Sequence, residues 1–379
     1  MSSIERIAMW GNRSLRKNYK SVRKGSKRAR SLIQKPFSRV YYIVESQNWS
    51  IHWDGAYITK NTRELTNTPC DSITEYDWIT KQVVHFGSRS IYFQGGFERV
   101  HPSNRIVVTW FHGDISDQNF EPQIRMIPDR MPHLDKVVTS SNIGRDKLLS
   151  WGVPEKKLSV IPLGIDLSIF RPTANSNKAS AREQLGIPPD SICVGSFQKD
   201  GVGWGSGLEP KMVKGPDIFL KAIEKLRNHN NIFVLLTGPS RGYVLNGLEK
   251  LGVPYIHNYL ENYHDIVQYF HCLDLYLVTS RDEGGPKAIL ECMATGVPIV
   301  STRVGMAPDV IIPGENGMIT DSEDFDGIAD AAQEFIDHQD FRQSSIENGL
   351  RTAQAYDWSS IAMRYYQDVY DPLLGSQER

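Results

Sequence analysis

Apolar stretches of strand length recur along this chain, with segments of helical spacing between them. "RVYYIVES" (39–46), "QVVHFG" (82–87), "RIVVTWFHG" (105–113) and "KVVTSS" (136–141) are rich in β-branched and aromatic residues. They lack the apolar–polar alternation of half-solvated strands, so strands buried on both faces are expected. "VIPLGIDLSIF" (160–170) closes this series. A second series follows: "SICVGSFQ" (191–198), "NIFVLLTG" (231–238), "PYIHNYL" (254–260), "LDLYLVTS" (273–280) and "VPIVST" (297–302). Helices are expected between these strands over 216–228, 261–271, 286–295 and 325–338. Strand and helix in alternation predict open parallel sheets covered on both faces. Two such series predict an α/β protein of two Rossmann-like domains, 37–165 and 166–355, with a hinge near Gly164 to Pro172.

Two segments interrupt this rhythm. "KDGVGWGSGLEPKMVKGPD" (199–217) is rich in glycine and reads as a long flexible loop at the carboxyl end of a strand, where open α/β sheets bind ligands. "EGGPKAILE" (283–291) places two glutamates eight positions apart around a Gly-Gly-Pro-Lys turn. Pro286 suits the first turn of a helix, Gly284 and Gly285 let a ligand approach the main chain, and Gly296 supplies a stop. The free N–H groups at 285–288 and the positive end of the helix dipole then form an anion site, with Glu283 before it and Glu291 roughly 7.5 Å beyond Pro286 at the α-helical rise. An anion cradle with a carboxylate on each side suits a ligand carrying hydroxyls, a diphosphate and hydroxyls again, as in a nucleotide sugar. The plainer alternative is an i, i+4 pair of Lys287 and Glu291 on a solvated face.

Composition narrows the class. The 379 residues carry a net charge of −1, and no run approaches the length of a membrane span. Cysteines 70, 193, 272 and 292 show no paired spacing, which predicts reduced core residues in a cytoplasmic protein. The near-neutral total hides an asymmetry: residues 1–40 hold twelve Lys or Arg against one acid, Glu5. Within them an apolar stripe (Ile4, Ala8, Leu15, Tyr19, Val22) can lie beside a basic one. Residues 1–36 are therefore expected to form an amphipathic extension on an anionic membrane surface, a disordered tail being the alternative. Nothing else in the chain is basic, so no nucleic-acid partner is expected.

"TSRDEGGPKAILECMATGVPIVSTRVGMAPDVIIPGENGMI" resembles the E-x7-E region of the retaining family-4 glycosyltransferases. The likeness extends to "LLSWGVPEKKLSVIPLGIDLSIFRP" (148–172), "VKGPDIFLKAIEKL" (213–226), "LLTGP" (235–239) and "AYDWSSIAMRYYQDVY" (355–370), and covers roughly residues 80–370. The resemblance implies the GT-B fold, with residues 356–379 carrying a helix that crosses back to the N-terminal domain. It implies that Glu283 contacts donor-sugar hydroxyls, Glu291 the ribose, and the amides of Lys287 and Ala288 the diphosphate or sugar. Base recognition would fall around Tyr255 to Leu260, with Tyr259 among the donor-binding residues. Lys214-Gly215 matches the lysine end of the family's G-R-x4-K-G pattern. The arginine end falls near Ser196, so Lys199 or Arg241 is expected to supply the second cation. His112 in "TWFHGD" matches a histidine near the reaction centre, with Gly113 beside it on the acceptor side. Gly55 in "WDGAYITK" is the nearest equivalent of the family's N-terminal glycine loop.

The implied reaction is retaining transfer of a sugar from a nucleotide-diphosphate sugar to a glycan or lipid-linked acceptor, in cell-surface polysaccharide or glycoconjugate synthesis. The residues expected to carry it are His112, Glu283 and Lys214. No cofactor or metal is expected, and the Asp324-x-Asp326 pair reads as a helix cap. A peripheral position on the inner face of the membrane follows from the basic extension. The alternatives are a nucleotide-sugar epimerase of the same fold and a non-catalytic membrane-associated scaffold with a relic sugar site. A dinucleotide-binding enzyme is disfavoured because "GVGWGSG" fails the G-x-G-x-x-G spacing.

Overall fold

The computed structural model describes residues 35–45 and 50–375. The expected basic extension lies outside the described residues except for Lys35 and Pro36.

Two six-stranded parallel sheets form the molecule. The first runs β2-β1-β3-β4-β5-β6, with β1 Val40–Ile43, β2 Cys70–Ile73, β3 Val83–Phe86, β4 Arg105–Thr109, β5 Lys136–Thr139 and β6 Leu158–Val160. The second runs β12-β11-β10-β7-β8-β9, with β7 Ile192–Phe197, β8 Ile232–Thr237, β9 Tyr255–Asn258, β10 Leu275–Val278, β11 Ile299–Thr302 and β12 Met318–Thr320. Central strands are buried throughout, as in β1, β3, β8 and β10, and apolar but for His85 and Thr237. That is the expected signature of sheets sandwiched between helices.

Helices of eight or more residues, numbered in chain order, are α1 Ser50–Thr66, α2 Asn142–Ser150, α3 Asn175–Leu185, α4 Pro216–Leu226, α5 Gly242–Leu251, α6 Lys287–Thr295, α7 Phe325–Asp337, α8 Gln339–Gln354 and α9 Trp358–Tyr365. In α4 the stripe Ile218, Phe219, Ala222, Ile223 and Leu226 is buried against the second sheet, the i, i+3, i+4 pattern of an amphipathic helix. Asp324 caps α7, its Oδ1 accepting from Gly327 N at 2.7 Å, as its sequence position predicts.

The chain crosses between the sheets twice, side by side. Ile165 N donates to Tyr356 O at 2.9 Å, and Trp358 N donates to Ile165 O at 3.1 Å. Gly164 is required there because a Cβ would enter the Trp358 ring. Helix α9 then returns to the first sheet and packs on α1, where Tyr57 and Trp358 stack at 5.3 Å. Beyond α9, the Tyr370 hydroxyl and the Nδ1 of buried His85 lie 2.8 Å apart, fastening the C-terminal segment beneath the first sheet.

The differences from the sequence expectation fall at sheet edges and in several connecting helices. Strands β2 and β12 are not predicted, since "CDSI" and "MIT" are short and partly solvated. Only Leu158–Val160 of the 160–170 region and its approach is strand, and 261–271 holds a 3-10 turn and the short helix Ile266–Phe270. The polar helices α3 and α8 carry weak apolar stripes, and they, with α2 and α5, are absent from the expected helices.

Candidate active site

The loop from Thr279 to Pro286 joins β10 to α6 at the carboxyl end of the second sheet. Its first residue fixes a neighbour: Thr279 Oγ1 donates to Gly215 O at 2.9 Å. Gly215 has φ +62°, and a Cβ there would overlap the Thr279 carbonyl, so glycine is needed for the approach. This delivers Lys214 to Glu283, whose Oε1 accepts both from the Lys214 ammonium and from Ser280 Oγ at 3.0 Å. Burial alone would raise the Glu283 carboxyl, but Lys214, followed by His112 and Ser280, holds it below its ordinary value. Glu283 is therefore an anion around neutral pH.

The glycine pair has a role beyond ligand approach. A Cβ on Gly284 would lie 2.5 Å from Phe111 Cβ in the opposite domain. Ser140 Oγ, also of that domain, donates to Gly284 O at 2.7 Å. The turn is thus pressed against the seam between the two sheets. Pro286 is the N-cap, and α6 begins at Lys287, so the N–H groups of Lys287 and Ala288 precede the first intrahelical bond.

Glu291 lies farther along α6 at 4% exposure. Its Oε1 accepts from the Tyr263 hydroxyl. Burial raises its pKa to about 7, with the Tyr263 bond and Lys287 only partly opposing. The alternative pairing of Lys287 with Glu291 is not formed: the Lys287 ammonium donates to Asp54 Oδ1 of α1 at 2.5 Å, across the cleft.

One cleft of about 690 Å³ runs past Lys199, Lys214, Glu283, Gly285–Ala288 and Glu291 to Tyr259. A larger groove, about 880 Å³ along α3, meets none of these residues, and its cationic wall is already paired, Arg182 and Lys178 both with Asp274. We therefore place the site in the smaller cleft. His112, in the loop after β4, is not among the residues that line this cleft but lies near enough for its charge to interact with Glu283 and Lys214. The residue is exposed as a whole, yet desolvation of the imidazole lowers its pKa to about 4. Glu283 and Lys214 act on that charge in opposite senses. The imidazole is neutral at pH 7.

Three expectations need correction. Arg241 is not available to a ligand: it is 1% exposed, and its Nη1 donates to the carbonyls of Ser196, Gln198 and Thr237 at 2.7–3.0 Å. Its Nε faces Asp200 at 3.0 Å, an ion pair without hydrogen-bond alignment. The same contacts contradict a flexible 199–217 loop. Asp200 is anchored by Arg241, Ser240 Oγ donates to Gly205 O at 3.0 Å, and Gly242 N donates to Ser206 O at 2.8 Å. Gly55 is not part of a loop; it is buried inside α1, where a Cβ would collide with Tyr42 and Val44 of the adjoining strand. Gly113 also serves the seam, with φ +126° and its N–H donating to Asp282 Oδ2 at 3.1 Å.

Lys199 remains as the second cation of the cleft, its ammonium 3.8 Å from the Trp204 ring centroid. Tyr259 is 64% exposed at the rim. Sequence reasoning missed Tyr263, Trp53 and Asp54. The first two line the cleft and the third holds Lys287. Asp54 and Trp53 come from α1, more than 200 positions from their partners, and no local spacing signals them.

Residues 208–352 match the family model described as Glycosyl transferases group 1. The chain is 25% identical over 275 residues to a D-inositol 3-phosphate glycosyltransferase of Corynebacterium kroppenstedtii, covering 67% of this chain and 57% of that protein. It is 24% identical over 309 residues to the protein of that name from Saccharomonospora viridis, covering 76% and 67%. The matched region thus spans about 57–67% of the length of these relatives. Among solved structures, Anabaena HepE in complex with UDP-glucose superposes with a TM-score of 0.70 at 16% identity, covering 88% of this chain and 99% of that one. Sucrose-phosphate synthase of Thermosynechococcus elongatus gives 0.65 at 20% identity, covering 77% and 73%. These likenesses show the GT-B fold.

Proposed function

We propose that this chain, which belongs to the glycosyl transferases group 1 family, moves a sugar from a nucleotide-diphosphate sugar to a glycan or glycolipid acceptor with retention at the anomeric carbon. The observation that carries the reading is the order of groups along one cleft: Glu283 with Lys214, then the start of α6, then Glu291. The donor sugar lies at Glu283 and the diphosphate at Lys214, Lys199 and the N–H groups of Lys287 and Ala288. The ribose lies at Glu291, with the base towards Tyr259. HepE is described with UDP and with UDP-glucose, so UDP-hexoses are the donors to test first.

In the step we propose, the bond from the anomeric carbon to the diphosphate oxygen breaks and its electron pair stays on that oxygen. The acceptor hydroxyl forms the new bond on the same face, and its proton passes to the departing phosphate oxygen. Lys214 and the helix start stabilise the charge that develops, as preorganised donors do in a water-poor site. Neutral His112 orients a donor-sugar hydroxyl and exchanges no proton at pH 7. None of these steps is routed through a metal. Residues 1–36 hold the protein to the cytoplasmic face of an anionic membrane, which vesicle co-sedimentation with and without that segment tests.

A panel of nucleotide sugars tests the site, read by thermal shift and by slow donor hydrolysis in wild type and Glu291→Ala. One donor class should stabilise wild type and not the variant. Stabilisation by no donor would overturn the reading in favour of the scaffold. Conversion of a donor to its epimer without hydrolysis or transfer would favour the epimerase.

A further inference from the structure

Beside His112, outside the lining of the cleft, the first sheet holds a cation that this scheme leaves unused. Arg89 follows β3 at the carboxyl end of the first sheet, the end at which open α/β sheets bind ligands. Its guanidinium carbon lies 4.1 Å from the centroid of the Phe120 ring and 5.2 Å from that of Trp110. The Phe120 ring in turn meets the His112 ring edge-on at 5.4 Å. The guanidinium therefore sits one aromatic ring away from the histidine of the proposed reaction centre.

Its hydrogen bonding is incomplete. Nη1 donates to Ser90 Oγ at 3.0 Å, while Nε is buried without an acceptor. Among the described residues no carboxylate forms an ion pair with it. The nearby acids are engaged elsewhere: Asp282 accepts from Lys147 at 2.9 Å and from Gly113 N, and Asp117 accepts from Asn119 N at 2.8 Å. A guanidinium stays charged in proteins, and withdrawing it from water without a counter-ion is costly. Cation–π contact offsets that cost only in part. The arrangement suits a site where the ligand brings the negative charge.

We propose that Arg89 recognises a phosphate group carried by the acceptor substrate, holding it beside His112. This rests on the glycosyltransferase reading above. The planar fork of arginine suits two phosphate oxygens at once, and Nη2 makes no hydrogen bond among the described residues. The phosphate can belong to a soluble phosphorylated sugar or polyol, or to a lipid headgroup.

The test uses the full chain saturated with UDP, so that the donor cleft is filled. Inorganic phosphate and glycerol 3-phosphate form the soluble arm. Neutral vesicles with and without phosphatidylinositol form the lipid arm. Wild type should bind a probe in at least one arm, and Arg89→Gln should weaken that binding roughly tenfold or more while leaving the UDP shift unchanged. Arg89→Lys should fall between them. The N-terminal basic segment is common to all three proteins, so only the difference between them counts in the lipid arm. Loss confined to vesicles assigns the phosphate to a lipid. Equal binding by Arg89→Gln, or no probe bound by wild type, would overturn the proposal. Absence of a UDP shift in wild type would instead sink the donor reading, and the phosphate arms would still report on Arg89. If Arg89→Gln does not fold, an arginine-directed dicarbonyl on wild type decides. Mass spectrometry must find modification at position 89 slowed by the probe, and no protection refutes the idea.

Discussion

Replacing Glu291 by glutamine should stabilise the ligand-free protein at alkaline pH and impair donor binding. The carboxyl is 4% exposed and its pKa is raised from 4.5 to about 7, chiefly by burial. In the unfolded chain the group ionises near its ordinary value; in the folded chain it keeps its proton until about pH 7. Between these values the folded state binds the extra proton, so stability falls as pH rises through the window and stays reduced above it. A shift of this size corresponds to about 3 kcal/mol. Glutamine cannot ionise, and its carbonyl can still accept from Tyr263. The gain of Glu291→Gln over wild type should therefore be near zero at pH 4.5 and grow to about 2–3 kcal/mol at pH 8. Urea denaturation of both proteins at those two pH values measures it. The same ionisation should make UDP affinity rise in wild type as pH passes about 7, with no such rise in the variant. A gain independent of pH, or a wild type as stable as the variant at pH 8, would refute the assignment of a neutral buried carboxyl. Stability relinquished at a binding residue is the pattern expected of a functional site.

Other substitutions probe the seam and the cations. Asp54→Asn should leave the Lys287 ammonium, 18% exposed, without its anion; a loss of about 1–3 kcal/mol is expected for removing one member of a partly buried pair, recovered in part by Asp54→Asn with Lys287→Met in a double-mutant cycle. Gly284→Ala forces a Cβ to 2.5 Å from Phe111; thermal denaturation should show a loss of about 1–3 kcal/mol, with donor turnover falling as the seam opens. Arg241→Met should destabilise by about 3–5 kcal/mol because Asp200 is left buried and unpaired, seen as protease cleavage within 199–214. Lys199→Ala should change stability by less than about 0.5 kcal/mol and raise the donor KM, so the two cations give opposite signatures in melting and kinetics.

The sequence carries the two-sheet plan and the ligand-facing half of the site because both depend on local signals. Buried parallel strands are unbroken apolar runs, and Glu283, Gly284, Gly285, Lys287 and Glu291 share one turn and one helix. What it does not carry depends on partners far along the chain. Whether a cation after a strand is a ligand group or a core group turns on its neighbours: Arg241 is surrounded by the Ser196, Gln198 and Thr237 carbonyls, and Lys199 is not. Gly55 and Gly284 look alike in sequence, yet one admits a strand beneath its helix and the other admits a second domain. That last contact changes what the E-x7-E turn does. The backbone that presents N–H groups to the proposed diphosphate also touches Phe111 and Ser140, and Lys287 at the start of the helix grips Asp54. Any separation of the two sheets must disturb the turn and the helix start together. On the proposed reading, domain closure and the shaping of the anion cradle are coupled, and a donor bound there should favour the closed state.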